Sequence, residues 1–544
     1  MITAVVSFLL FTGLVALATW FFTRKTEHAS NDGFFLAGRS LSWPFIAGSL
    51  LLTNLSTEQM VGLNGSAYAN GLCVMAWEVV AVVALVLMGL FFLPRFLRAG
   101  ITTVPQYLAQ RFDRRVELAC NLIFLLAYAV ILLPIILYTG AQGMRGILGV
   151  DGFFADIGIT SEYGQLLVMV AAVAVIGSLY ALWGGLETCA VSDTFNGIGL
   201  LAGGLMITFF ALEALGGGSF GEGAEIFVRE SGQAGMLNSI GGAESEVPFF
   251  TLFTGILFIN VFYWCTNQQI IQRTFGAKSL AEGQKGVLMT GLLKLAGPLF
   301  LVVPGLIAFV MAAKYGLINV SSKDTAYGTL VNYVLPKPLL GFFSAVLLGA
   351  ILSSFNSALN STCTMFSLGI YKGLLFPTAS DHKVVSVGRW FGAVLTVVCI
   401  FIAPLLFKAG GIFNYLQTMN AIYFIPILAV VVVGMSTRYV PGKAALTALL
   451  AGVLLIAAGY FMPGAKSVLT VMSEYHFVAL VFAFLIVMML VWGKVAPRRT
   501  AYVPVDAKAT DMTPWKFAPL AGGLLLLVVA AIYIWFADLS VLSK

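Results

Sequence analysis

The chain has 544 residues, 60% of them hydrophobic and only 10% charged, where an ordinary soluble domain carries about a quarter charged residues. With a mean hydropathy of +0.96, a mostly soluble protein is excluded. The formal net charge of +6 does not point to nucleic acid, because no basic cluster is interleaved with aromatic residues and the lysines and arginines sit mainly between apolar runs.

Apolar runs of about 17 to 25 residues, each able to cross a hydrocarbon core of roughly 30 Å as a helix, recur along the whole sequence, about fourteen in all. The first, 2–22, lacks a basic start and a small-residue cleavage site and reads as a spanning helix, not a signal peptide. Further spans are expected at 43–70, 74–95, 119–144, 163–184 and 191–214. A second group follows at 249–272, 286–313, 339–371, 390–407 and 411–436, and a third at 444–462, 473–493 and 517–537. The pattern predicts an all-α membrane protein. Counting alternate loops, most of the 30 lysines and arginines, Arg111 and Arg273 among them, fall on the side of the first loop. The positive-inside rule makes that side cytoplasmic, in the cell (inner) membrane, and places both termini outside.

The longest outside loop, 215–248, is rich in glycine and carries Glu222, Glu225, Glu230, Glu244 and Glu246; it reads as a flexible or partly helical lid. Within it Gly217, Ser219 and Gly221 match the serine-nucleophile pattern GxSxG without the strand-then-helix context that pattern needs. The six cysteines stand singly, and His28, His382 and His476 lack metal-ligand spacing. No constellation for a membrane enzyme emerges.

Lipid offers backbone groups no hydrogen bonds, so polar, glycine-bearing stretches inside an apolar run point to a protein-lined cavity. Two spans are interrupted in this way. The second contains Thr53, Asn54, Ser56, Thr57, Glu58 and Gln59; the seventh contains Asn260, Tyr263, Thr266, Asn267, Gln268 and Gln269. With the first span peripheral, these are the opening members of two consecutive five-helix halves, as in an inverted-repeat transporter with discontinuous central helices. The expected organisation is a peripheral helix and loop over 1–42, a core over 43–436 with repeats at about 43–214 and 249–436, and three peripheral helices over 437–544.

Ionised residues at membrane depth are costly and functional by default. Glu58, Glu78, Asp193 and Lys294 qualify. Glu78 and Lys294, of opposite sign, fit one polar cavity in which each orients hydroxyls of a neutral ligand and offsets the other's charge; the bland alternative is a structural ion pair. Sodium, a hard cation, wants several oxygens. Ala350, Ser353 and Ser354, at i, i+3 and i+4, place one carbonyl and two hydroxyls on a single helix face, opposite the carbonyls freed near Asn54.

At these residues the sequence resembles the solute:sodium symporter family, in particular its bacterial sodium/galactose and sodium/glucose branch. The likeness runs through Phe35 to Leu41, Asn54 to Gln59, Trp77-Glu78, Trp183 to Leu186, Ile270 to Thr274, Asn360-Ser361 and Ile370 to Lys372. It implies a five-plus-five inverted-repeat fold like that of the amino-acid symporter LeuT, working by alternating access. It further implies that Asn54, Gln59, Glu78, Asn260, Lys294 and Gln417 meet sugar hydroxyls, that Tyr263 is an inner gate against the sugar ring, and that Phe413 with Leu63 forms part of an outer gate. The implied sodium ligands are the carbonyls of Leu52, Leu55 and Ala350 with the hydroxyls of Ser353 and Ser354. Asp193, Asn356 and Ser357 are candidates for a second sodium or its exit path. Ala81 departs from the pattern, standing where the galactose symporter has a serine. The expected function is sodium-coupled import of a small neutral sugar, with Na+ as coupling ion. The alternatives are another polar solute, such as sialic acid, inositol, pantothenate or proline, or a membrane sugar sensor.

Overall fold

A computed structural model of the chain describes residues 2–24, 30–148, 154, 156–408, 412–462 and 472–543; the side chains of Thr57, Glu58, Trp183 and Phe413 lie outside the described residues, as does His28. The described residues are helical, with no strand and two isolated bridges, Leu41 with Ala277 and Ser279 with Asp511. Eleven described helices are long and apolar enough to cross a membrane, or twelve if one bent pair is a single span.

Helix α1 (Ile2–Thr23) leads into a pair, α2 (Trp43–Asn54) and α3 (Thr57–Asn70). Continuous spans follow: α4 (Leu72–Ala99), α5 (Arg114–Arg145), α6 (Glu162–Leu182) and α7 (Gly184–Leu215). A second pair, α8 (Gly255–Cys265) and α9 (Gln268–Phe275), precedes α10 (Leu280–Leu295) and α11 (Pro298–Lys314), which meet at a bend of 47°. Then come α12 (Lys337–Leu375), α13 (Asp381–Leu406) and α14 (Ile412–Ser436). The last three are α15 (Gly442–Phe461), α16 (Glu474–Val495) and α17 (Ala518–Trp535).

The difference from the expected count lies in the two polar stretches. The 43–70 run is divided into pieces of 12 and 14 residues, and the 249–272 run contains pieces of 11 and 8, each short of the roughly 20 residues a crossing needs. At the first break Ser56 N–H bonds the Asn54 carbonyl at 2.9 Å, two residues back, and the α-helical ladder stops. At the second, Thr266 and Asn267 both reach back to the Phe262 carbonyl, at 2.8 and 2.9 Å. There the buried Tyr128 hydroxyl donates to Asn267 Oδ1 and accepts from Gln269 N–H at 3.1 Å, so freed backbone is satisfied by protein.

The core is a continuous apolar cluster spread over most of these helices. By contrast α1 and α17 turn large apolar side chains outward, Leu10 at 69% and Leu527 at 67% exposure, as lipid-facing helices do. Phe11 of α1 meets Phe342 of α12 edge-on at 5.0 Å. At the start of α7, where the chain turns from α6, Gly185 has a φ of 60° and an ideal Cβ there would stand 2.7 Å from the Phe34 carbonyl, so the turn needs glycine.

Two cations expected in loops are buried. Arg111 donates to the carbonyls of Gly434 at 2.8 Å and Thr437 at 3.0 Å, pinning the end of α14, and Arg273 lies inside the core. The 215–248 segment is partly helical over Phe220–Gln233, and Ser219 accepts from Glu222 N–H as that helix's cap. The GxSxG serine therefore has a structural role. The segment is tied down by Leu72 N–H to the Met236 carbonyl at 2.7 Å and by a Glu246–Lys323 ion pair.

Candidate solute and sodium sites

The break between α2 and α3 opens on a cavity that α4, α5, α8, α9, α10 and α14 complete. Asn54, Gln59, Glu78, Asn260, Tyr263, Lys294 and Gln417 all line it, joined by Trp77, Trp264, Gln269 and Asn420. Seven of the eight residues expected to meet solute are thus brought together; the side chain of the eighth, Phe413, lies outside the described residues. Leu63 is fully buried and is not part of the lining, and neither is Ala81.

Lys294 organises the polar wall. Its Nζ donates to Glu78 Oε2 at 2.5 Å and to Asn54 Oδ1, and it stands 5.5 Å from the centre of the Trp264 ring. Both side chains are 1% exposed. A buried pair is tolerable only with close geometry and further hydrogen bonds, which Asn54 supplies. The bend between α10 and α11 is part of the arrangement: Glu78 Oε2 lies against Gly297, where a Cβ would come within 2.6 Å of it. The carboxylate therefore sits directly on the backbone of the helix pair that carries its partner.

Amides complete the wall. Asn260 donates to the Ile256 carbonyl at 3.0 Å, which fixes its side chain. Asn420 accepts from the Tyr423 hydroxyl at 3.0 Å. Gln59 Oε1 is buried with no hydrogen-bond partner among the described residues, an exception to the rule that buried polar atoms are paired. Rings supply the apolar side: Tyr263 packs edge-on against Trp264 at 5.3 Å. The cavity can hold a compact molecule with several hydroxyls, offering amides, one carboxylate and one ammonium as partners.

One candidate sodium ligand, Ser354, meets the same break. Ser354 Oγ donates to the Thr53 carbonyl at 3.1 Å, which brings α12 against the interrupted backbone at that residue; Leu52, Leu55, Ala350 and Ser353 are buried as well. Ser353 borders the Asp193 carboxylate. Asp193 Oδ2 accepts from Ser49 Oγ at 2.6 Å and lies 3.6 Å from Arg273 Nη2, both charges being 1% exposed. Arg273 also donates to Ser49, Ser357 and the Gln269 carbonyl. Asp193 and Ser357 therefore share one cluster. Asn356 faces away, into a separate small cavity beneath α1 with Thr12, Ser192 and Asn196.

Gln269 was not singled out by sequence as a ligand. It lines the solute cavity while its Nε2 donates to the Ser354 carbonyl at 3.3 Å, so one side chain touches both sites. Among the described residues no group of three or more His, Cys, Asp or Glu has the arrangement of a metal centre, and alkali-ion coordination by carbonyls and hydroxyls needs none.

Comparison with known proteins gives the family. Residues 34–452 match the model of the sodium:solute symporter family. The chain is 42% identical over 540 residues to an Escherichia coli (strain K12) protein described as the uncharacterized symporter YidK, covering 98% of this chain and 91% of that one. It is 32% identical over 456 residues to the sodium/glucose cotransporter of Vibrio parahaemolyticus, covering 81% of each. Among solved structures, the substrate-bound, outward-open Na+-coupled sialic acid symporter superposes with a TM-score of 0.76 at 19% identity, covering 91% of this chain and 98% of that one; at that identity the likeness speaks to fold. The chain is thus a multi-pass membrane protein and a sodium-coupled transporter, not an enzyme, and it belongs to the sodium:solute symporter family.

Proposed function

We propose that the protein imports a small neutral sugar of the galactose or glucose type together with sodium, by alternating access. The observation that carries this reading is the Lys294–Glu78 pair facing the cavity. Because the ammonium is already neutralised, the wall offers a hydroxylated molecule donors and acceptors without demanding a charge. A carboxylated solute such as sialic acid would need a cation whose charge is not spent on Glu78. The bacterial sodium/glucose relative supports the same choice.

Asn54, Gln59, Glu78, Asn260, Lys294 and Gln417 are the hydroxyl partners in this reading, Tyr263 an inner gate and Phe413 part of an outer one. Sodium binds the carbonyls of Leu52, Leu55 and Ala350 and the hydroxyls of Ser353 and Ser354, and the Asp193 and Ser357 cluster serves its exit or a second ion. Coupling follows from shared structure. An ion that holds α12 against the broken α2–α3 pair favours the arrangement in which Asn54 and Gln59 face solute, and Gln269 ties the same two regions together. The 43–436 region forms two inverted repeats with the broken pairs as their first members, giving fourteen crossings when each pair counts once, and α1 with α15 to α17 is peripheral. Both termini lie outside the inner membrane.

Uptake by purified protein in liposomes tests the choice of solute. Galactose or glucose should accumulate only with an inward sodium gradient, and unlabelled sialic acid, proline or pantothenate should not compete. Competition by one of these in place of the sugars would leave a sodium symporter and refute the sugar.

A further inference from the structure

A second concavity lies on the outer surface of the helix bundle, between α10 and α17. Leu288, Met289 and Leu292 form one wall and Ala521, Leu525 and Val528 the other, at spacings that keep each set on a single helix face. Leu292 and Val528 are 52% and 44% exposed. In a bilayer such a groove neither stays empty nor fills with water, since its lining offers water no partners.

Only one end is polar. Lys285, Trp43 and Trp515 close the groove there. Lys285 pairs with Glu282 at 3.0 Å, and Glu282 also accepts the Trp43 N–H at 2.9 Å. Lys278 acts on the same carboxylate, and Lys516 adjoins Trp515 in sequence. Against these three lysines stand two carboxylates, Glu282 and Asp511, the latter paired through its backbone with Ser279 and Leu280, so the end carries one positive charge in excess. Tryptophan and lysine at one level mark a membrane–water interface. From Lys285 to Leu295 the groove runs about 15 Å along α10, the thickness of one leaflet's hydrocarbon, half of roughly 30 Å.

We propose that this groove binds one phospholipid from the leaflet on the lysine side, with an acyl chain along Leu288, Leu292 and Val528 and its phosphate at the Lys285 end. Length, polarity and charge all match that occupant. The lipid would rest on the two helices that present Asn54 and Lys294 to the solute cavity, since Trp43 opens α2 and α10 carries Lys294.

Native mass spectrometry of the purified, delipidated full chain, offered phosphatidylglycerol or dioleoylglycerol, tests this. Wild type should retain one phosphatidylglycerol per chain and no dioleoylglycerol. Ala521→Trp and, from the opposite wall, Leu292→Trp should lose it, Leu527→Trp on the outer face should keep it, and Lys285→Gln should weaken retention about fivefold. Thermal melting of each variant separates loss of lipid from loss of fold. Equal retention by the two groove-filling variants and wild type overturns the proposal, as does equal retention of dioleoylglycerol. A wild-type dimer that Ala521→Trp abolishes would give the groove to a second copy of the chain and equally overturn it.

Discussion

Lys294 and Glu78 are 2.5 Å apart and 1% exposed, so each is stable at membrane depth only because the other is there. Removing one partner, as in Lys294→Gln or Glu78→Gln, leaves an uncompensated charge and should destabilise the protein by about 3 to 5 kcal/mol, read as a lowered melting temperature. The double substitution should recover most of that loss while uptake stays abolished; recovery of uptake with stability would make the pair a structural pin only. This pair was legible in the sequence because its members carry opposite charge inside long apolar runs. The partner of Asp193 was not. Arg273 stands one residue past the expected end of the 249–272 span, where a cation reads as a loop residue, but it lies in the last turn of the short helix Gln268–Phe275. Trp264 and Asn420 escaped for a related reason, since an aromatic ring or an amide in a span looks the same whether it faces a ligand or a neighbouring helix.

The helices that matter most are those that fail to cross in one piece. Polar residues inside apolar runs pointed to both breaks, because lipid cannot satisfy free backbone, but what satisfies it could not be read from spacing: the Tyr128 hydroxyl lies more than a hundred residues from Asn267 and Gln269. Ser354 bonds the first break through the Thr53 carbonyl, beside a hydroxyl contact of Ser357 with Thr53 at 3.2 Å. Ser354→Ala should raise the sodium concentration for half-maximal uptake by about tenfold, the equivalent of one lost ion contact of about 1.4 kcal/mol. Ser344→Ala, whose hydroxyl bonds the Leu340 carbonyl of its own helix and no other group among the described residues, should leave it unchanged. An unchanged sodium dependence in Ser354→Ala would remove this residue from the ion site. Gln269→Ala, which removes the side-chain bond running from the solute cavity to the Ser354 carbonyl, should loosen coupling, seen as sugar uptake that persists at low sodium; tight coupling in that variant would dismiss the bridge.

On the scale of the whole molecule the gradient sets what transport can achieve. A tenfold sodium gradient supplies about 1.4 kcal/mol and 100 mV about 2.3 kcal/mol per charge. One ion per sugar therefore supports roughly 500-fold accumulation, and a steady state well above that would require a second ion, for which the Asp193 cluster is the natural place. Hydropathy made the membrane class and the approximate spans plain, but not the burial of Arg111 against the end of α14, because a lone arginine between spans looks like any loop cation. The most direct measurement is uptake of labelled galactose and glucose into proteoliposomes, with and without an inward sodium gradient, in wild type and Gln59→Ala. Sodium-dependent accumulation in wild type, with uptake lost in a folded Gln59→Ala variant, is the expected result. No sodium-dependent accumulation of either sugar by folded wild type would contradict a galactose or glucose symporter, and full uptake by Gln59→Ala would contradict the site.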